Sequence, residues 1–181
     1  LAAHRLSIAA AAATGTALCA PGVLVLLLAT NPLAAALELF TIVSYNLIYT
    51  PAKRLTTVST IIGAVPGALP PVIGYTAATG RVDLEAWLLF AILFLWQLPH
   101  FLAIAWLYRD QYARAGIPLL PVIDRTGDST SRQVLFSCVA LVCTGLAPTF
   151  FGVCGVVYFW GALLAGVVFL AFSLVLVVGR R

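Results

Sequence analysis

The sequence predicts an all-α protein, a polytopic transmembrane helical bundle, and its composition is the first of three observations behind that prediction. Of the 181 residues, 62% are hydrophobic and only 9% are charged, whereas soluble domains average about 25% charged residues. So few charges do not cover a surface that faces water. The composition therefore excludes a soluble domain, a disordered chain and a nucleic-acid-binding protein. It predicts an integral membrane protein whose surroundings are a lipid bilayer.

The second observation is a series of six apolar stretches, each close to the roughly 20 residues that a helix needs to cross a bilayer. Strands of a membrane barrel are about 10 residues long and alternate polar with apolar side chains, so these stretches predict helices. We interpret the chain, residues 1–181, as a single domain with spans at about residues 8–29, 33–49, 58–78, 84–107, 134–153 and 156–178.

The third observation is the distribution of basic residues between the two sides of the membrane that six spans define. Only Arg81 falls on one side, and the other side holds the remaining nine of the ten basic residues. The positive-inside rule places that basic side, with both chain ends, in the cytoplasm or the mitochondrial matrix. The nine residues are Arg5, Lys53, Arg54, Arg109, Arg114, Arg125, Arg132, Arg180 and Arg181.

The first three spans differ in how well they suit lipid. The first contains an alanine run that favours a helix, and the second is short and carries Glu38 about one turn from its outer end. The third reads G-A-V-P-G-A-L-P-P-V-I-G, with Pro66, Pro70 and Pro71. Because proline removes backbone hydrogen bonds, we expect neighbouring helices to cover the third span and its bend to form one wall of a central cavity.

The fourth span carries polar residues in the motif W-Q-L-P-H-F, where lipid-facing positions would be apolar. Gln97 and His100 are one turn apart, and helical spacing places them with Tyr108 on a stripe that leads to Arg109 and Asp110. Polar groups inside a membrane are costly and face the bundle interior. Two interpretations of His100 stay open, a cavity residue or a structural hydrogen bond between helices.

The inner ends of the second and fourth spans carry the charged residues that suit a diphosphate. Y-T-P-A-K-R places Lys53 and Arg54 at the end of the second span, and Y-R-D-Q-Y-A-R places Arg109 and Asp110 at the end of the fourth. The cations can neutralise phosphate oxygens, and the carboxylate can hold Mg²⁺. The alternative is that these basic residues only mark the inner side of the membrane.

Two further features of the sequence do not predict a metal site. The fifth and sixth spans are apolar. Asp124 and Asp128 flank R-T-G in the long loop 108–132, where the glycine favours a solvated turn over a metal clamp. The four cysteines lie in apolar runs without a C-x-x-C pair, which predicts core side chains rather than disulfides or a metal site.

Four motifs, in order, give the chain a resemblance to the heme O synthase (protoheme IX farnesyltransferase) family of UbiA-type intramembrane prenyltransferases. They are Y-T-P-A-K-R, G-A-V-P-G-A-L-P-P-V-I-G-Y, F-L-W-Q-L-P-H-F and D-Q-Y-A-R-A-G-I-P-L-L-P-V. The resemblance implies a nine-helix bundle in which these six spans are the third to the eighth. The Asp-rich motif that binds Mg²⁺-diphosphate would lie in the helices before them, so we expect this chain alone to be inactive.

The resemblance also implies the reaction, in which the farnesyl group of farnesyl diphosphate joins a vinyl group of heme B to give heme O. The implied cofactor is Mg²⁺ and the implied protein partner is heme A synthase. The setting would be a bacterial inner membrane, or the mitochondrial inner membrane in a eukaryote, with the active-site loops on the cytoplasmic or matrix side.

The resemblance assigns roles to residues of this chain. Lys53, Arg54 and Arg109 would bind the diphosphate, and Lys53, Arg54 and Asp110 would be the catalytic residues, with Asp110 as the Mg²⁺ ligand. Gln111 stands where the family usually has an acidic residue, so Asp110 would take over its role. The cavity for heme and substrate would include Tyr49, Gln97, His100, Tyr108 and Tyr112, with His100 in its heme half.

Two alternatives remain open from the sequence. One is another UbiA-type prenyltransferase that acts on a quinone or chlorophyll precursor. The other is a non-catalytic heme-binding or transport membrane protein, which paired axial histidines on facing helices would favour. His4 and His100 are the two histidines of the chain, and His4 lies close to its first residue.

Overall fold

A computed structural model describes residues 7–179, and that part of the chain is helical with no β-strand. The predicted inner-side residues Arg5, Arg180 and Arg181, and also His4, lie outside the described residues. The helices are α1 (Ile8–Ala29), α2 (Pro32–Val43), the π-helix π1 (Ser44–Tyr49), α3 (Thr50–Ala52), α4 (Ser59–Gly67), α5 (Leu69–Thr79), α6 (Leu84–Leu107), α7 (Arg109–Arg114), α8 (Leu120–Ile123), α9 (Asp128–Phe150) and α10 (Val156–Val178).

Six helical segments of the described chain are long and apolar enough to cross a membrane, which confirms the predicted fold class of a multi-pass membrane protein. The bounds of α1, α6 and α10 coincide with the first, fourth and sixth predicted spans. The second segment is longer than expected and runs over Pro32–Ala52. The fifth begins at Asp128, six residues before its predicted start, because the end of the polar loop joins the helix.

The third span, Ser59–Thr79, is the most buried of the six, as its prolines predict. It consists of α4 and α5, which meet at Ala68, a residue with no exposed surface. Pro70 and Pro71 lack the amide hydrogens that would continue one uniform helix through this point. The α-helix is therefore interrupted at Ala68, where neighbouring helices cover it.

The long helix α6 is the centre of the bundle. It packs against α4 and α5 on one side and against α9 on the other. One apolar cluster joins α2, α5 and α6 around Leu69, Val72 and Ile73, and another joins α6 and α9 around Leu102 and Val134. By contrast, α1 buries none of its residues and α10 buries a single serine. The core of the described chain therefore lies around α6.

The cysteines divide between core and periphery. Cys138 is fully buried, and its thiol donates to the Ser173 hydroxyl at 3.2 Å. Cys19 and Cys143 are exposed on their helices, so the prediction of core side chains is wrong for these two residues. Apolar neighbours such as Leu18 and Val139 are exposed as well, so these two cysteines lie outside the core of the described residues.

Candidate active-site cavity

A cavity of about 390 Å³ lies between the second, third and fourth spans. It is mostly apolar, and the polar and aromatic side chains in its wall are the candidates for chemistry. Twelve residues line it, namely Tyr45, Tyr49, Lys53, Thr60, Gly63, Gly67, Gln97, Phe101, Ile104, Tyr112, Ile117 and Leu119.

The π-helix π1 positions the tyrosines of one wall. Pro51 has no amide hydrogen to continue an α-helical ladder, and the wider turn lets the Thr50 amide and hydroxyl both donate to the Tyr45 carbonyl. The Tyr45 and Tyr49 ring centroids are then 5.0 Å apart at a tilt of 49°. Such π-turns inside longer helices are frequent at functional sites.

Two glycines of α4 let side chains from other helices approach the opposite wall closely. A methyl group on Gly63 would lie 2.6 Å from two carbons of the Tyr49 ring, and one on Gly67 would collide with the side-chain oxygen of Gln97. The two glycines are four residues apart on one helix face. The Tyr49 ring and the Gln97 amide therefore lie about one helical turn apart along the cavity.

Gln97 is the buried polar group of the cavity, with 4% of its surface exposed. Its Nε2 donates to the Ala64 carbonyl oxygen at 3.1 Å. That bond fixes the orientation of the amide, because a carbonyl acceptor requires the nitrogen side to face it. The Gln97 oxygen is thereby turned toward Gly67 and the cavity.

The cavity has a cationic mouth and an uncharged inner end. Lys53 lies at the mouth, and its Nζ is 5.7 Å from the Tyr49 ring centroid. Gln97 is ten residues before Leu107, the end of α6, which corresponds to about 15 Å at the helical rise of about 1.5 Å per residue. A ligand with an anionic head and an apolar body fits this polarity.

Several predicted site residues lie outside the cavity wall. Arg54 is exposed, and Tyr108 is 47% exposed. The His100 ring stacks on Trp96 with centroids 4.8 Å apart and also contacts Phe101. The structure therefore brings together Tyr49, Lys53, Gln97 and Tyr112 of the predicted set, and it does not bring the other predicted residues to this cavity.

Eight of the twelve residues that line the cavity are not among the predicted site residues, and two of the eight carried a usable signal in the sequence. Tyr45 is one turn before Tyr49, and Phe101 is one turn after Gln97. Thr60 carried no signal, because one hydroxyl near the start of an apolar span is common.

A second, smaller cleft of about 230 Å³ contains Arg109, Asp110, Asp124 and Arg125. The Arg109 guanidinium lies 4.9 Å from the Trp106 ring centroid, and its Nε is 3.9 Å from an oxygen of Asp110. Asp110 itself is 90% exposed at its side chain. Arg109 and Asp110 thus lie beside each other in this cleft and not among the residues that line the main cavity.

Asp124 forms a turn rather than a metal clamp, as the sequence favours. One of its oxygens accepts from the Gly127 amide at 3.2 Å, and the other accepts from the Thr130 amide and hydroxyl at 2.7 and 2.9 Å. Partial burial opposes ionisation, but these hydrogen bonds prevail and hold the pKa of Asp124 below its ordinary value. Both oxygens are therefore already used.

The positions of the carboxylate groups decide whether this part of the chain could hold a divalent metal ion. Within residues 7–179 no three His, Cys, Asp or Glu side chains are grouped as a metal would need. Asp110 is the carboxylate of the small cleft whose oxygens accept no hydrogen bond there. Because Mg²⁺ is commonly held by one or two carboxylates together with substrate phosphates, this arrangement fits an ion that arrives with a diphosphate and does not fit a preformed metal site.

The fold and cavity define a polytopic membrane protein with an internal pocket suited to an amphiphilic anion. The model of the UbiA prenyltransferase family matches residues 1–181. The chain belongs to that family.

Curated relatives of the chain share one name. The chain is 51% identical over 166 residues to the protoheme IX farnesyltransferase of Solibacter usitatus, covering 92% of this chain and 57% of the relative. It is 51% identical over 139 residues to that of Koribacter versatilis (77% and 45%) and 45% identical over 167 residues to that of Sorangium cellulosum (92% and 59%). The chain spans about half the length of the curated relatives it matches. No solved structure matches it.

Proposed function

We propose that the chain forms the substrate cavity of a protoheme IX farnesyltransferase, which transfers the farnesyl group of farnesyl diphosphate to a vinyl group of heme B and gives heme O. The observation that carries the proposal is the polarity of the cavity, with Lys53 at its mouth and aromatic rings along its length. Family membership and the names of the relatives support the same reaction. The catalytic unit would include segments that this chain does not contain.

The mouth would hold the diphosphate. Lys53 would contact its oxygens directly, while Arg54 and Arg109 would contribute from the inner surface. Charge develops on the diphosphate as the bond to the farnesyl carbon breaks, and fixed cations in a poorly solvated site stabilise that charge. The Lys53 ammonium is already close to the Tyr49 ring, so it is held at the mouth before substrate binds.

The aromatic wall would protect the allylic cation that remains when diphosphate leaves. Tyr45, Tyr49, Phe101 and Tyr112 all line the cavity. A cation over an aromatic face gains about 1–2 kcal/mol in a dry site. The same rings exclude bulk water, which would otherwise consume the cation before the vinyl group attacks it.

Prenyltransferases of the UbiA family generally use divalent metal ions. We infer that the ion here is Mg²⁺ and that Asp110 would be the carboxylate this chain offers to it. The bound ion would neutralise charge on the departing diphosphate. Asp110 would hold the ion near the inner surface, where Arg109 is its neighbour.

The proposed setting is a bacterial inner membrane, since the relatives named above are bacterial, with the active-site loops in the cytoplasm; a eukaryotic source would place the chain in the mitochondrial inner membrane. Heme A synthase is a proposed partner, because an enzyme that modifies heme O must receive it from the membrane. Co-purification of the two proteins from one membrane tests that partnership.

The experiment is an assay of the full-length enzyme in proteoliposomes with farnesyl diphosphate and heme B, followed by mass analysis of the heme. Farnesylated, hydrated heme supports the proposal. If heme is unchanged and an aromatic quinone precursor is prenylated instead, the alternative transferase is correct. If heme binds and farnesyl diphosphate is not consumed, the chain belongs to a heme-binding protein.

A further inference from the structure

The side-chain oxygen of Gln97 lies beside Gly67 in the lining of the cavity. Within residues 7–179 no donor forms a hydrogen bond with it, although the amide nitrogen on the same carbon is bonded to Ala64. Because this oxygen lines the cavity and is not sealed in the core, it can accept a hydrogen bond from a molecule in the cavity. An oxygen held in this position therefore suits a donor that comes from outside the chain.

Neither organic substrate of the proposed reaction supplies that donor in its reacting part. Diphosphate oxygens are acceptors, and the farnesyl chain and the heme vinyl group have no N–H or O–H group. Water is the remaining reactant of the proposed reaction, and it carries two donors. A single water occupies about 30 Å³, which is a small fraction of the cavity's volume of about 390 Å³.

Resting on the proposed function, we propose that the side-chain oxygen of Gln97 holds the water molecule that adds to the farnesylated heme cation. The bond between the first farnesyl carbon and the diphosphate oxygen breaks, the vinyl electrons then form a bond to the resulting allylic cation, and the vinyl carbon attached to the ring becomes cationic. The water oxygen then bonds to that carbon, and its extra proton passes to the released diphosphate. Heme B, farnesyl diphosphate and water give heme O, diphosphate and one proton.

The surroundings of Gln97 match this role. The Tyr49 ring, which can stabilise a cation through its face, lies about one helical turn away across Gly63 and Gly67. Thr60 and Tyr49 bring hydroxyls to the same lining, and a held water needs two or more polar partners. Gln97 is a positioning residue in this scheme, because an amide accepts a hydrogen bond from water and does not remove its proton.

Product partition measures this role separately from the rate of the enzyme. A cation that meets no water loses a proton instead and gives a farnesylated heme that is lighter by one water. Removing the Gln97 oxygen by Gln97→Leu should lower the ratio of hydrated to dehydrated product about tenfold, the effect of one lost hydrogen bond. Gly67→Ala should lower the same ratio, because the added methyl group displaces that oxygen.

Two matched variants complete the test. Gln97→Glu should keep most of the hydrated product, since a carboxyl group in an apolar site stays protonated and reproduces both the donor to Ala64 and the free oxygen. Ser173→Ala also removes a buried hydroxyl, but on α10 and away from the cavity, and should leave the ratio unchanged. The assay uses the full-length enzyme, and the ratio is read from whatever product forms, so a low yield of folded variant does not change it.

The outcomes separate the two proposals. A wild-type enzyme that makes no farnesylated heme of either kind overturns the proposed function. A wild type that makes heme O, together with Gln97→Leu and Gly67→Ala variants that are slower at an unchanged product ratio, overturns only the role of Gln97. Variants at Gln97 and Gly67 that all form no product would place Gln97 before the water step and would also overturn its role.

Discussion

Lys53 and Arg54 are neighbours in the chain and yet lie in different surroundings. Lys53 lines the cavity beside the Tyr49 ring, whereas Arg54 is exposed. A hydrogen bond to a charged group contributes about 1.5–3 kcal/mol where solvent does not weaken it. The two side chains should therefore differ in their contribution to diphosphate binding, although the sequence alone assigned them the same role.

We predict that Lys53→Ala in the full-length enzyme raises the KM for farnesyl diphosphate by about tenfold to a hundredfold, which corresponds to the loss of that bond. Arg54→Ala should raise it by less than about threefold, because an exposed charge is screened by solvent and salt. Steady-state kinetics with a heme titration on each variant is the measurement. Heme affinity should stay near the wild-type value in both.

The control is Arg81→Ala, which removes a cation from the opposite end of the bundle and should leave the KM unchanged. Equal effects of the Lys53 and Arg54 substitutions would contradict the distinction between a cavity residue and a surface residue. If neither substitution changes the KM for farnesyl diphosphate, both residues only mark the inner side of the membrane.

The fourth span shows how far residue-level prediction reaches. Gln97 stood out because an amide in an apolar run is costly, and the structure places it in the cavity wall. His100 stood out for the same reason, but its ring stacks on Trp96. Positions three residues apart differ by about 60° around a helix, so a polar stripe includes both of them. The pattern therefore identifies the helix face and not the side chain at its centre.

At the scale of elements, the sequence predicted helices better than it predicted their irregularities. Apolar length alone gave α1, α6 and α10 their bounds. The π-helix π1 depends on how Pro51 changes the hydrogen bonds of the preceding turn, and the break at Ala68 depends on two later prolines. The π-helix and the break at Ala68 arise from the arrangement of several backbone groups, so no single residue type predicts them.

The turn between α8 and α9 is an element with a predictable pH dependence. Its carboxylate, Asp124, is ionised more readily in the folded chain than its ordinary pKa of 3.8 implies. A pKa lowered by folding stabilises the fold above the ordinary value, and this contribution disappears as the pH falls through the folded value. We predict that Asp124→Asn lowers the free energy of unfolding by about 1 kcal/mol at pH 7. The difference from wild type should vanish at pH values well below 3.8.

Thermal unfolding of both proteins in detergent over a pH series measures this difference. Asp128→Asn is the matched control, because Asp128 is exposed and its side chain forms no hydrogen bond within residues 7–179; its effect should be smaller than that of Asp124→Asn. A difference between Asp124→Asn and wild type that stays constant from pH 7 to acid would show that the turn does not depend on the ionised carboxylate.

At the scale of the whole molecule, the described helices form an open arrangement with its core around α6. The first helix buries no residue, and an apolar groove of about 690 Å³ runs between α1 and α2. The curated relatives are nearly twice as long as the region they share with this chain.

Composition predicted a membrane bundle because it counts residues over the whole chain. It gave no information on which helices touch, because lipid and helix surfaces are equally apolar.

We predict the orientation of the molecule in its membrane from the distribution of its charges. Of the seven basic residues within residues 7–179, Arg81 is on one side of the six spans and the other six are on the opposite side. We predict that a cysteine introduced as Thr126→Cys, in the exposed loop before α9, is protected from a membrane-impermeant maleimide added to intact cells. Thr79→Cys, exposed at the opposite end of the bundle, should be labelled under the same conditions.

The unmodified chain measures the background from its four native thiols, and permeabilised cells should make Thr126→Cys reactive. Labelling of Thr126→Cys in intact cells, with protection of Thr79→Cys, would reverse the topology and place Lys53, Arg109 and the mouth of the cavity on the outer face.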